Sequence, residues 1–85
     1  MKSFEYTIKD ELGIHARPAG MLAKAAKALD SEIIISLNGK TAAATKLMAV
    51  MGLGVKCGDT VTVNINGGDE SASEAAMQEF FKANL

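Results

Sequence analysis

The chain contains no tryptophan, one tyrosine and three phenylalanines, and it has a single cysteine, a single histidine and a single proline. One cysteine, Cys57, excludes an internal disulfide and a cysteine-rich zinc cluster. One histidine, His15, excludes the usual histidine-based metal sites, and no metal or other cofactor is expected. A dominant charge is also missing: 9 basic side chains stand against 10 acidic ones, for a net charge of −1. With few aromatics to stack on bases, that balance argues against broad nucleic-acid binding. No run is apolar enough to span a membrane. Met1-Lys2-Ser3-Phe4-Glu5-Tyr6 lacks the apolar stretch of a signal peptide. Cys57 lies in Lys56-Cys57-Gly58-Asp59, which reads as a turn, and a free thiol suits a reducing compartment. A cytoplasmic protein without membrane insertion is the expectation.

What is present suffices for one core. Hydrophobic residues make up 48% of 85 residues, enough for a single small domain over 1–85 and too little for a deep enzyme pocket. Phe4, Tyr6 and Ile8 alternate with polar neighbours and predict a half-buried strand. Ala19, Leu22, Ala23, Ala26 and Leu29 follow helical spacing within 16–29. Ile33, Ile35 and Leu37 predict a second strand, and Asn38-Gly39 a tight hairpin into a short third strand, 40–43. A short helix is expected over 45–51. Its Leu47, Met48, Val50 and Met51 ring it with apolar groups, so some must remain exposed. Val61, Val63 and Ile65 predict a fourth strand. Asp69, or Ser71 with Glu74, can cap a last helix over 70–82 with Ala72, Ala76, Met77, Phe80 and Phe81 inward. The order is βαββαβα, an α+β arrangement.

The densest information lies in Gly13-Ile14-His15-Ala16-Arg17-Pro18-Ala19, between the first strand and the first helix. Proline is tolerated in a first helical turn, where its missing N–H has no intrahelical partner. His15 then falls at the cap, facing free backbone N–H groups and the positive end of the helix dipole, an environment that favours an anion. Arg17 in the first turn opposes that dipole unless a negative group sits beside it, and guanidinium binds phosphate well. These residues can hold a phosphoryl group on an imidazole nitrogen, with the amides of Ala16 and Arg17 facing its oxygens. Arg17, Lys24 and Lys27 share a face that reads either as a solvated helix surface or as a docking stripe for an acidic partner.

This heptapeptide resembles the active-site signature of the histidine-containing phosphocarrier (HPr) family of the bacterial phosphoenolpyruvate:sugar phosphotransferase system. Asn38-Gly39-Lys40 and Leu47-Met48-Ala49-Val50-Met51-Gly52-Leu53-Gly54-Val55 resemble it at matching distances, so the likeness spans essentially the whole chain. It implies an open-faced β-sandwich, a four-stranded antiparallel sheet with three helices on one face. It implies a monomeric carrier, not an enzyme. His15 would take a phosphoryl group on Nδ1 from enzyme I and pass it to a histidine of a sugar-specific IIA domain, with Arg17 stabilising the charge. Met21, Lys24, Lys27, Leu47, Met48 and Met51 are the candidate docking surface. Many family members carry a serine at the start of the short helix, the target of an ATP-dependent kinase. Counting from His15, that position is Lys46 here, which has no hydroxyl; Thr45 is the nearest one. A regulatory, nitrogen-linked paralogue and a binding-only regulator that is never phosphorylated stay open as alternatives.

Overall fold

Alternation of inward and outward side chains builds the sheet. The computed structural model describes residues 1–85, with strands β1 Lys2–Thr7, β2 Glu32–Leu37, β3 Lys40–Ala43 and β4 Thr60–Asn66, and helices α1 Ala16–Lys27, α2 Leu47–Gly52 and α3 Glu70–Asn84. The strands form one antiparallel sheet in the order β1-β4-β2-β3. Register aligns Phe4, Val63, Ile35 and Ala42 in one row across it. The neighbouring row, Glu5, Thr62, Ser36 and Thr41, points the other way. Because side chains alternate with period two, Phe4, Tyr6, Ile33, Ile35, Val61, Val63 and Ile65 share one face, and the open face is mostly polar, with Ile34 half-buried on it. Val61, Val63, Ile65 and Ile35 are fully buried on the first face, each worth about 1.5–3 kcal/mol of transfer free energy. All three helices lie there, giving the open-faced sandwich and the βαββαβα order.

The hairpin forms as expected. Asn38 and Gly39 have φ of 49° and 85°, the two left-handed positions of a type I′ turn. Helix boundaries shift slightly. α1 ends at Lys27, and Leu29 lies past the cap, half-buried against the core. There Ala28 and Leu29 donate to Ala25 and Ala26, the tighter three-residue spacing of a helix end. α2 begins at Leu47 because Lys46 is extended and donates back to the Ala43 carbonyl at 3.0 Å, which puts Thr45 in a turn. Asp69, not Ser71, caps α3, accepting from the Ala72 N–H at 3.1 Å.

The inward face of α3 differs from the expected one. Ser73, Met77 and Phe81 are buried, whereas Ala72 and Ala76 are exposed. A serine can occupy the inward position because its hydroxyl is partnered. Ser31 Oγ donates to the Gly67 carbonyl at 2.6 Å and lies 2.7 Å from Ser73 Oγ. Ser31 has one hydroxyl proton, so Ser73 supplies the second bond. Phe81 meets Phe4 and Tyr6 edge-on, with centroids 5.9 and 5.5 Å away, which clamps α3 to β1. Asp30, just after α1, accepts from the Asp69 N–H at 3.1 Å. The end of α1 therefore meets the start of α3, and the two helices run antiparallel.

Candidate functional site

The segment between β1 and α1 is tied down on two sides. On one side Ile8 donates to Asp59 and accepts from Gly58, and Ile14 donates to the Val55 carbonyl at 3.1 Å. On the other, the N–H groups of Lys9 and Asp10 both donate to a Leu85 oxygen, at 2.6 and 2.9 Å. Gly13 makes the first approach possible. Its φ is +68°, and a Cβ there would collide with the Val55 oxygen and come within 2.7 Å of Lys56 Cα, both backbone atoms. Within the loop, Asp10 Oδ1 accepts from the Leu12 N–H at 2.9 Å, an Asx turn that aims the chain at His15.

His15 is the N-cap of α1, extended at φ −98° and ψ −174°, and its carbonyl accepts the first helical bond from Ala19 at 3.0 Å. Its imidazole makes no capping bond. The amides of Ala16 and Arg17 are left without intrahelical acceptors, and Pro18 has no N–H to leave. The ring is half-buried and Arg17 is exposed. Together they line a cleft of about 210 Å³ with Asp10, Pro18, Met21, Ala83 and Asn84. A water occupies about 30 Å³ of liquid, so the cleft admits a small oxyanion with solvent. The arrangement offers a nucleophilic ring nitrogen, backbone donors and a guanidinium around one open space. No three His, Cys, Asp or Glu side chains converge to form a metal cluster.

The expected site residues fall into three groups. His15, Arg17 and Met21 share the cleft, with Met21 42% exposed. Lys24 and Lys27 do not reach it. They occupy the last turn of α1, about 13 and 18 Å along the axis from His15, where their charge suits the carbonyl end of the helix. The α2 residues split. Met48 is 75% exposed and Leu47 37%, Val50 is fully buried, and Met51 is half-buried against the core. Of the α2 candidates, Met51 is thus the one with a share in the core. α2 packs beside α1, and Met48 and Leu47 are its exposed large apolar side chains. Asp10, Ala83 and Asn84 were not anticipated. The Asp10-Glu11-Leu12-Gly13 turn chemistry is a local signal for the first; nothing local brings residues 83 and 84 to His15. At the other end of α3 the Met1 ammonium at 2.9 Å and the Gly67 N–H at 2.7 Å hold the Glu70 carboxyl below the usual range.

A sheet open on one face, three helices on the other and a histidine at the head of α1 define the class of small histidine phosphocarriers. Residues 2–83 match the family model described as the PTS HPr component phosphorylation site. The fold is similar to the Mycoplasma histidine-containing phosphocarrier protein, with TM-score 0.89 and 34% identity over 93% of this chain and 90% of that one. It is similar to HPr of Thermoanaerobacter tengcongensis, with TM-score 0.91 and 31% identity over 98% and 93%. It also resembles Crh, the Bacillus subtilis catabolite repression protein, a swapped dimer, with TM-score 0.78 and 25% identity over 94% and 92%. The chain belongs to the HPr phosphocarrier family.

The Gly13 geometry carries a prediction. Gly13→Ala forces Cβ into the Val55–Lys56 backbone at a positive φ, and overpacking of this kind costs about 1–3 kcal/mol. Urea denaturation should show that loss. Gly39→Ala, also at positive φ but facing open space, should cost less, and equal losses would refute the clash as the cause.

Proposed function

We propose that this protein, as a single domain over 1–85, relays a phosphoryl group through His15 in a phosphotransferase system. The observation that carries this reading is the shared cleft of His15 and Arg17 at the open N-terminus of α1. In the neutral imidazole one ring nitrogen is free of a proton and nucleophilic. Attack by Nδ1 on the phosphohistidine of enzyme I breaks the donor N–P bond as the new one forms. Phosphoryl transfer asks mainly for positioning and charge stabilisation. The amides of Ala16 and Arg17 and the Arg17 guanidinium meet the developing negative charge. The reverse steps then deliver the group to a histidine of a sugar-specific IIA domain. Leu47, Met48 and Met21 supply a soft apolar docking surface, with Lys24 and Lys27 as a basic margin and Met51 as its edge toward the core. Flexible methionine contacts suit a carrier that must release each partner. The protein acts as a monomeric cytoplasmic carrier rather than an enzyme and uses no cofactor. The likeness to Crh supports a second reading, a regulatory paralogue with the same fold and other partners; onward transfer to a IIA domain separates the two.

Intact mass after incubation with enzyme I and phosphoenolpyruvate is the central test. One acid-labile, alkali-stable phosphate is expected on the wild-type protein and none on a folded His15→Ala variant; a label on serine would overturn the mechanism. Arg17→Lys keeps the charge but loses the planar fork. It should slow transfer about tenfold to a hundredfold, the rate equivalent of one charge-assisted hydrogen bond of roughly 1.5–3 kcal/mol.

Docking is tested by contrast. Met48→Glu should weaken enzyme I binding with little change in melting temperature. Met51→Glu places a charge at a half-buried position and should lower the melting temperature as well. A Met48→Glu protein that melts early but binds normally would remove α2 from the interface.

Lys46 bears on regulation. Its charge is opposite to that of a phosphoserine, and we propose that the chain keeps the histidine relay without the serine switch. With ATP and a serine-type HPr kinase, peptide mapping should find no acid-stable phosphate. Stoichiometric label at Thr45, which is half-buried in the turn before α2, would overturn this.

A further inference from the structure

Asp10 is the unexpected member of the cleft. Asp10 lines it together with His15 and Arg17. It is half-buried and fixed from two directions. Its backbone N–H is bound to a Leu85 oxygen at 2.9 Å, and its Oδ1 holds the Leu12 N–H at 2.9 Å. The first bond fixes the backbone, and the second gives the carboxylate a preferred orientation. That carboxylate is not neutralised: the ion pair of this fold is Met1 with Glu70, and no Asp10–Arg17 pair forms. Ala83 and Asn84 bring the last turn of α3 to the same space, and a helix C-terminus carries negative partial charge. The cleft thus combines attractive groups, the α1 amides and Arg17, with repulsive ones, Asp10 and the end of α3.

We propose that Asp10 is a tuning residue that keeps a phosphoryl group on His15 weakly held and so raises its transfer potential; the proposal rests on the relay reading above. In each transfer the His15 Nδ1 lone pair bonds to phosphorus while the pair of the breaking N–P bond returns to the donor nitrogen. Nothing is oxidised or reduced, and Nε2 keeps its proton. The product carries about two negative charges close to the site. A fixed carboxylate beside it disfavours the loaded state relative to the free one. A carrier that bound the group too well would accept it readily and fail to hand it on.

The test separates charge from structure. Asp10→Asn retains an oxygen acceptor for the Leu12 N–H but removes the charge; Asp10→Ala removes both; Asp10→Glu restores the charge. Each protein is equilibrated with catalytic enzyme I at one fixed phosphoenolpyruvate-to-pyruvate ratio, and loaded and free forms are counted by intact mass. The loaded-to-free ratio should rise about two- to fivefold in Asp10→Asn and Asp10→Ala, the effect of one partly exposed charge. Asp10→Glu should stay near wild type, and the gain should shrink in high salt. An Asp10→Asn protein that loads like wild type, with only Asp10→Ala altered, would reduce Asp10 to a turn cap and overturn the proposal. Absence of label from the wild-type protein would instead overturn the relay reading, and this one with it.

Discussion

Val61, Val63 and Ile65 on the central strand β4 all bury on one side of the sheet, and Thr62 and Asn64 turn to the other. That one-sided burial is the constraint on which the molecule depends. Nearly all of the apolar surface lies on that face, so the helices cover it and the other face stays open. Three helices on one face of a small sheet leave little freedom in how they stack. α1 and α3 run antiparallel, joined at one end through Asp30 with Asp69 and Ser31 with Ser73. At their other end the head of α1 and the tail of α3 meet, and the cleft with His15 is what lies between them.

The cleft inherits a mixed electrostatic character from this arrangement. A helix N-terminus facing a helix C-terminus sets donors against acceptors across a short distance. Arg17 adds positive charge on one side and Asp10 negative charge on the other. Gly13 and the Ile14–Val55 bond hold His15 at this junction against the 54–59 turn. His15 is thus placed by backbone contacts, while its side chain makes no capping bond.

α2 shows how a short apolar helix divides its side chains. Val50 is locked in the core, Met51 packs against it, and Met48 and Leu47 face solvent. Six residues make fewer than two turns, too little to hide apolar groups on all sides. The helix that bears the exposed pair packs beside α1. The basic residues Lys24 and Lys27 stand at the far end of α1, outside the cleft. Near the carbonyl end their charge stabilises the helix itself.

Sequence alone determined the features written in local periodicity and turn chemistry. The three alternating strands, the Asn38-Gly39 hairpin with the short strand it leads into, the His15 cap before Pro18 and the order βαββαβα were all legible, because each depends on residues a few positions apart. Helix ends were less so: Thr45 and Leu29 looked helical by spacing, but a turn bond to Ala43 and tightening at Ala28 excluded them. Tertiary structure decided the rest. Ser73 is inward and Ala72 outward because Ser31, 42 residues away, offers a hydroxyl partner, and hydrophobic spacing assigns no serine to a core. Asp10 joined Ala83 and Asn84 around His15 only once β1 and α3 had closed on each other. Such long-range meetings leave no periodic trace, since the free energy that selects them comes from burial shared among elements, not from either segment alone.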